Sequence, residues 1–534
     1  MISTQNKKNR YTEKNIEDTY DVIIIGAGIG GLFAANFLAF HNIKTLLVEQ
    51  HNVVGGLMQG GWKKNNYFDY GTQSNEIKGG ILPALQYLKL DDRITFKKCT
   101  HRLVSDDGLD LKLGNLDDAK SAFKKAYPND SENIEEYFEF YKKVTSIAKL
   151  ENEDGMKGLI ETDTSSFMPD YKKYWQNKSY YKDLLYYDSI PASKKAKEIL
   201  GIRNPISKVL TNLGYRNCST LATGIFWYLW QDDYYYNIGG KQYFMDTLAH
   251  AFVERGGTLS TNTKVEKILT KNNSASGIQF SNGETVRGKY IISNADMKGT
   301  IKYLLNGHES MKDWNDEIEN NITAEAFFTV YLTLDMSIDE LKKYLKNSHH
   351  VWYYPTQSQT VTPFNKEFHK SLPMEISAAC LHDSNLVQDD NHSTLVLQSF
   401  SFYEWMNRWK ISKTGHKSKE YYHLKREVEN QLISNLEKII PDVKKRIVFK
   451  QSATPLTHKR YTMNENGSTG GWTWNPNKTY VNFNQQKITT PINNLYFVGQ
   501  WTLYQGSLLT STISGKIASD LIINKENESR EPIV

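Results

Sequence analysis

The stretch that most constrains this chain is Asp21-Val-Ile-Ile-Ile-Gly-Ala-Gly-Ile-Gly-Gly-Leu32, taken together with Glu49. Val22 to Ile25 form a β-branched run with no polar interruption, which suits a parallel strand covered on both faces. Gly26, Gly28 and Gly31 then give the spacing G-x-G-x-x-G. The first glycine permits a tight turn, the second lets backbone approach a diphosphate, and the third lets helix and strand pack closely. Ile29 and Gly30 open the helix whose free N–H groups would receive that diphosphate. Lys44 to Glu49 reads as a second strand ending on a carboxylate, with Gln50 beside it. Glu49 lies 21 residues past Gly28, where an acid accepts hydrogen bonds from both ribose hydroxyls and repels a 2′-phosphate. Strand, helix start, second strand and terminal acid together predict dinucleotide binding. They do not by themselves choose between FAD and NAD.

A chain of 534 residues exceeds what one hydrophobic core usually supports, so at least two lobes are expected. A net charge of +5 with dispersed basic residues predicts no nucleic-acid partner. Cys99, Cys218 and Cys380 are far apart and form no C-x-x-C, which argues against disulfides or a zinc site and for a reducing, cytoplasmic setting. His349, His350 and His382 show no metal-ligand spacing with an acid cluster, so core or surface histidines are expected and no metal. Residues 1–19 are polar and read as a flexible tail. No apolar run reaches the ~18 residues of a membrane span.

Gly55-Gly56-Leu57 follows Glu49 closely, and Tyr67-Phe68-Asp69-Tyr70-Gly71 comes soon after. A nicotinamide enzyme has no use for a second glycine pair there, whereas a longer FAD must be threaded past it. Taken with Gly26 to Gly31 and Glu49, these residues resemble the FAD-dependent amine oxidase and phytoene desaturase superfamily. Many members of that group carry Arg after the paired glycines; Leu57 stands there, so a cationic contact to the diphosphate is not implied.

Residues 81–238 read as a mostly helical insertion. Between Tyr171 and Arg216 basic residues mix with aromatic ones, a composition open to two readings: peripheral contact with an anionic membrane, or a solvated face. Leu221 to Tyr236 is strongly aromatic and suits either core packing or the wall of an apolar pocket. From Gly239-Gly240 to Asp296 a helix, a hairpin and a strand return the chain to the first sheet. The resemblance implies adenine contact by the Val265 backbone and diphosphate contact by Asn294 and Ala295.

Residues 301–475 are expected to build a mixed sheet, with a helix over Ser337 to Leu345 opened by a capping box. The run Ala453-Thr-Pro-Leu-Thr457, then Arg460-Tyr461, more narrowly resembles the carotenoid desaturase, carotenoid isomerase and retinol saturase branch, as a strand and loop beside the cofactor. Asn494 to Gly499, Gln500 and Ser507-Leu508-Leu509 complete the likeness, bringing a strand and a helix N-terminus back to the flavin.

The fold class implied is α/β: a Rossmann-like FAD-binding domain of the GR2 type with a mixed α+β substrate domain and a helical insertion. The FAD-binding domain would draw on residues 20–80, 239–300 and 476–534. Non-covalent FAD and a long or bulky apolar substrate follow from the resemblance, in a desaturase, saturase or isomerase. An amine or amino-acid oxidase is the alternative. Trp227, Trp230, Trp472, Trp474 and Tyr504 are candidate substrate-lining residues, and Arg460 and Tyr461 the candidate polar groups near flavin N5. The oligomeric state is not legible.

Overall fold

In a computed structural model of the protein, the residues described are 11, 15–165, 170–201, 210, 214–215, 217–355, 364–365, 367–409, 417–478, 487–503 and 506–530. The β-branched run lies within the strand Thr19–Ile25, where Val22, Ile23 and Ile24 are wholly buried, as a non-alternating strand requires. It sits mid-sheet, parallel to Thr45–Val48 on one side and Thr285–Ser293 on the other. Thr258–Ser260 and Leu495–Phe497 extend the parallel set, and the meander Val265–Lys271, Ser274–Phe280 and Thr285–Ser293 adds antiparallel neighbours. Segments from three distant parts of the chain thus build one sheet. Ile25, Val48, Ser293 and Phe497 end at the same edge, the place where open α/β sheets bind ligands.

The first helix, Ile29–Phe40, packs against the last, Leu508–Arg530. Small residues set that approach: a Cβ on Gly515 would lie 2.8 Å from Gly30 O and 3.1 Å from Ala34 N.

A second, mixed sheet runs in the order Ile447–Ala453, Ala326–Asp335, His392–Ser401, Met374–Ser377, His350–Tyr354, His101–Ser105, Asp110–Leu113. Its last two strands come from the region read as mostly helical. His101–Ser105 pairs in parallel with His350–Tyr354 across 249 residues, a contact that local periodicity cannot reveal. Helices of the 81–238 region, chiefly Ser131–Leu150 and Thr220–Tyr228, pack beside it around their own core. The helix Ile338–Leu345 starts as read, with the Ser337 hydroxyl accepting from Glu340 N at 3.2 Å.

The Thr454-Pro-Leu-Thr457 motif opens a helix, Pro455–Thr462, and not a strand and loop. Thr454 and Thr457 cap it reciprocally, each side chain bonding the other's backbone N–H, and Pro455 at the first helical position needs no donor. In the Tyr171–Arg216 stretch, Arg216 and residues 202–209 lie outside the described residues. Trp175 and Tyr180 turn inward and are buried, while Leu185 and Tyr186 are 37% and 59% exposed. Among the described residues no helix is long and apolar enough to cross a membrane.

Candidate active site

A cavity of about 920 Å³ opens at the edge where the parallel strands end. Gly26 turns the chain with φ +95°, a conformation glycine adopts without strain. A Cβ on Gly31 would lie 2.2 Å from Gly26 O, which is the close helix–strand approach expected of the third glycine. Gly28, Ile29 and Gly30 border the cavity, and no side chain caps the helix they open, so its first N–H groups are free for an anion. Glu49 is nearly buried at the cavity wall, its Oε2 accepting from Ala27 N at 2.9 Å and its Oε1 from His51 N at 3.0 Å. Each oxygen keeps a lone pair for a ribose hydroxyl.

Asn294 pins this turn to the returning C-terminal strand. Its Nδ2 donates to Gly26 O at 3.1 Å, and a Cβ on Gly499 would come within 2.5 Å of its Oδ1. Gly499 N donates to Ser514 Oγ at 2.8 Å, tying strand end to last helix. Asp69 is buried beneath the second glycine loop. It accepts from Tyr236 OH at 2.7 Å, Tyr67 OH at 3.0 Å and Lys241 N at 2.8 Å, and just past the Phe-Asp-Tyr-Gly motif Thr72 N donates to Leu57 O of that loop at 3.2 Å.

At the Ser507 end the cavity wall is aromatic: Tyr215, Phe226, Leu229, Tyr234, Trp352 and Trp474 border it. The Trp474 ring stacks between Tyr215, with centroids 5.0 Å apart, and Phe226, at 5.7 Å. Two carboxyl groups share this end, and both are engaged. Glu375 pairs with His350 Nδ1 at 2.5 Å. Glu76 Oε1 accepts from Leu509 N at 3.0 Å, and burial pushes its carboxyl above the ordinary range.

A family model for flavin containing amine oxidoreductases matches residues 29–523. The chain belongs to that family. It is therefore a flavin-dependent oxidoreductase. Among relatives, it is 25% identical to the chloroplastic prolycopene isomerase of Daucus carota, over 96% of this chain and 82% of that protein. It is 22% identical to the all-trans-retinol 13,14-reductase of Danio rerio, over 97% of this chain and 88% of that one. Among solved structures, wild-type putrescine oxidase bound to putrescine has the same fold, with TM-score 0.61, 12% identity, and coverage of 96% of this chain and 99% of that one.

The predicted cofactor contacts divide. Gly26, Gly28, Ile29, Gly30, Glu49, Gln50, Gly55, Gly56, Leu57, Val265, Asn294, Ala295, Gly499, Gln500, Ser507 and Leu508 border the cavity. Gly31 and Leu509 do not: Gly31 stands behind the turn, and the Leu509 N–H expected at the flavin is taken by Glu76. Trp474 borders the cavity, but Trp227, Trp230 and Trp472 lie behind its wall. Trp227 and Trp230 join the core of the helical region, and Trp472 Nε1 donates to Trp501 O at 2.9 Å. Tyr504 lies outside the described residues. The aromatic run does reach the cavity, through Phe226, Leu229 and Tyr234: Phe226 and Leu229 are three residues apart on one helix face, and Trp227 and Trp230 occupy another.

Arg460 and Tyr461 are displaced from the place expected of them. Tyr461 O accepts from His51 Nε2 at 2.7 Å, so Tyr461 borders the Glu49 end of the cavity, away from the aromatic end, and Arg460 does not border it. Tyr215, Trp352, Glu76, Glu375 and Gln398 were not foreseen; each stands in a segment with no motif of its own.

Proposed function

We propose that this chain binds FAD non-covalently and moves hydride between that flavin and a long, apolar, polyene-like substrate, as a desaturase, saturase or isomerase. The observation that carries the reading is the aromatic wall from Tyr215 to Trp474 at the Ser507 end of the cavity, opposite the Glu49 end. Several residues suit the cofactor. Glu49 faces a ribose, the uncapped helix start at Ile29 faces a diphosphate, and Gly28, Gly56 and Gly499 leave room for backbone approach. His51, beside Glu49, is the one His or Cys among the described residues bordering the cavity, which favours a dissociable cofactor.

When bound, FAD supplies a hydride acceptor and donor; the protein's part is position and exclusion of water. Tyr215, Phe226 and Trp474 form a stacked, dry surface on which a flat conjugated chain can lie. Glu76 closes the start of the last helix by accepting from Leu509 N, and burial pushes its carboxyl above the ordinary range. An amine substrate would want a free carboxylate, but the Glu375 carboxylate is already paired with His350. The relatives that isomerise prolycopene and reduce all-trans-retinol suggest the probes.

FAD-reconstituted protein, oxidised and anaerobically reduced, should change the absorption spectrum of prolycopene or all-trans-retinol and release no peroxide from amines. Peroxide from an amine panel, with both polyenes untouched, would overturn the reading. Such substrates reside in bilayers, and the exposed Leu185 and Tyr186 beside lysine-bearing helices are the proposed point of peripheral membrane contact. Failure to co-sediment with anionic vesicles would retire that contact.

A further inference from the structure

Cys99, His349 and His382 are scattered along the chain, yet one ligand atom from each lies within 4.8 Å of the other two. Cys99 and His349 are 3% and 1% exposed. Neither ring nitrogen of His349 has a hydrogen-bond partner among the described residues, nor does His382 Nε2. Leaving a buried donor or acceptor unpaired is costly, so such a group invites an occupant. None of the three borders the flavin cavity, and no step above uses them.

Backbone contacts fix all three in place. Cys99 N donates to Tyr234 O at 2.8 Å, Ala378 N to His349 O at 3.0 Å, and His382 N to Ala379 O at 3.0 Å. Lys97 Nζ donates to His382 O at 2.8 Å. The Tyr236 ring packs against both imidazoles, with centroids 5.1 Å from His349 and 5.9 Å from His382, and walls the cluster on one side.

We propose that Cys99, His349 and His382 form a binding site for one thiolate- and imidazole-preferring divalent cation, zinc foremost. A thiol and two imidazoles make a borderline-soft set suited to zinc, and three protein ligands leave the fourth tetrahedral position to solvent. Zinc bonds of about 2.0–2.3 Å put the ligand atoms roughly 3.4–3.6 Å apart, inside the 4.8 Å that bounds them here, and the His349 and His382 rings, stacked with centroids 4.5 Å apart, would tilt so that a nitrogen of each faces the ion. On binding, the Cys99 thiol gives its proton to solvent as the sulfur–metal bond forms, and no electron moves. The ion would tie the turn between Phe96–Lys98 and His101–Ser105 to the start of His350–Tyr354 and to the turn after Ala379–Leu381. This inference does not depend on the substrate reading.

The test uses full-length, FAD-loaded protein. Elemental analysis after zinc loading and dialysis should find roughly one zinc per chain. Cobalt substitution should give a thiolate-to-cobalt charge-transfer band in the near ultraviolet. Cys99→Ser should abolish that band, and His382→Gln should weaken zinc binding more than about 100-fold, while exposed His423→Gln leaves it unchanged. Should Cys99→Ser fail to fold, His382→Gln and the wild-type cobalt spectrum decide. Wild-type protein that retains no zinc, or shows no thiolate band, overturns the proposal. Undiminished binding in either folded ligand variant does the same.

Discussion

Glu49→Gln exchanges one oxygen for an NH2 group at constant size, and the geometry turns that small change into a large one. Both carboxylate oxygens accept backbone N–H groups, Oε2 from Ala27 at 2.9 Å and Oε1 from His51 at 3.0 Å. An amide has one oxygen. Whichever way it flips, its NH2 faces one of the two N–H donors and leaves it unpaired. Glu49 is 8% exposed, so water relieves little of this, and the cost to the flavin-free protein is about 1–3 kcal/mol. The flavin-bound protein also loses a charge-assisted acceptor for ribose, a further loss of about 1.5–3 kcal/mol, or roughly ten- to a hundredfold in the FAD Kd. The assays are quenching of flavin fluorescence on titrating apoprotein into FAD, and apparent Tm of the apoprotein. Glu49→Asp separates the effects: it keeps the charge but shortens the reach. A Gln variant with unchanged Tm and an FAD Kd within about twofold of wild type would refute the reasoning.

Asn294→Ala removes the bond to Gly26 O and the side chain against which Gly499 rests. Loss of about 1–3 kcal/mol in FAD binding is expected by the same titration, because the first glycine turn and the C-terminal strand are no longer held together. Trp474→Ala empties the space between Tyr215 and Phe226, so KM for a polyene should rise about tenfold or more while the FAD Kd stays constant. Burial pushes the His458 imidazole down to about 4. The unfolded chain takes up a proton near pH 6.5 that the folded chain refuses until about pH 4, so stability is lost as pH falls through that window, at up to about 1.4 kcal/mol per pH unit. His458→Gln should flatten the denaturation midpoint against pH between 6.5 and 4; an unchanged slope would show that the His458 imidazole takes up its proton alike in the folded and unfolded chain.

The glycine turn and the acid at the Glu49 end of the cavity were legible because their signals are local. A β-branched run, a left-handed Gly26, the packing of Gly31 against Gly26 O and a strand-ending acid are set by stereochemistry within a few residues. Even the Thr454–Thr457 capping box was present as spacing, though it was read as a strand. Position within an element was harder. Trp227 and Trp230 were chosen for size, but their helix turns the face bearing Phe226 and Leu229 to the cavity and the one bearing those tryptophans to the core.

By itself, then, the sequence determined the glycine turn after the first strand and the carboxylate that ends the second, while the return of the C-terminal strand and helix came from the family resemblance. Tertiary structure alone decided that His101–Ser105 enters the second sheet, that Glu76 takes the Leu509 N–H, and that Cys99 meets His349 and His382. Backbone preferences act between neighbours and leave a spacing to be read. Contacts between residues hundreds of positions apart exist only once whole elements have packed, and they leave no spacing behind.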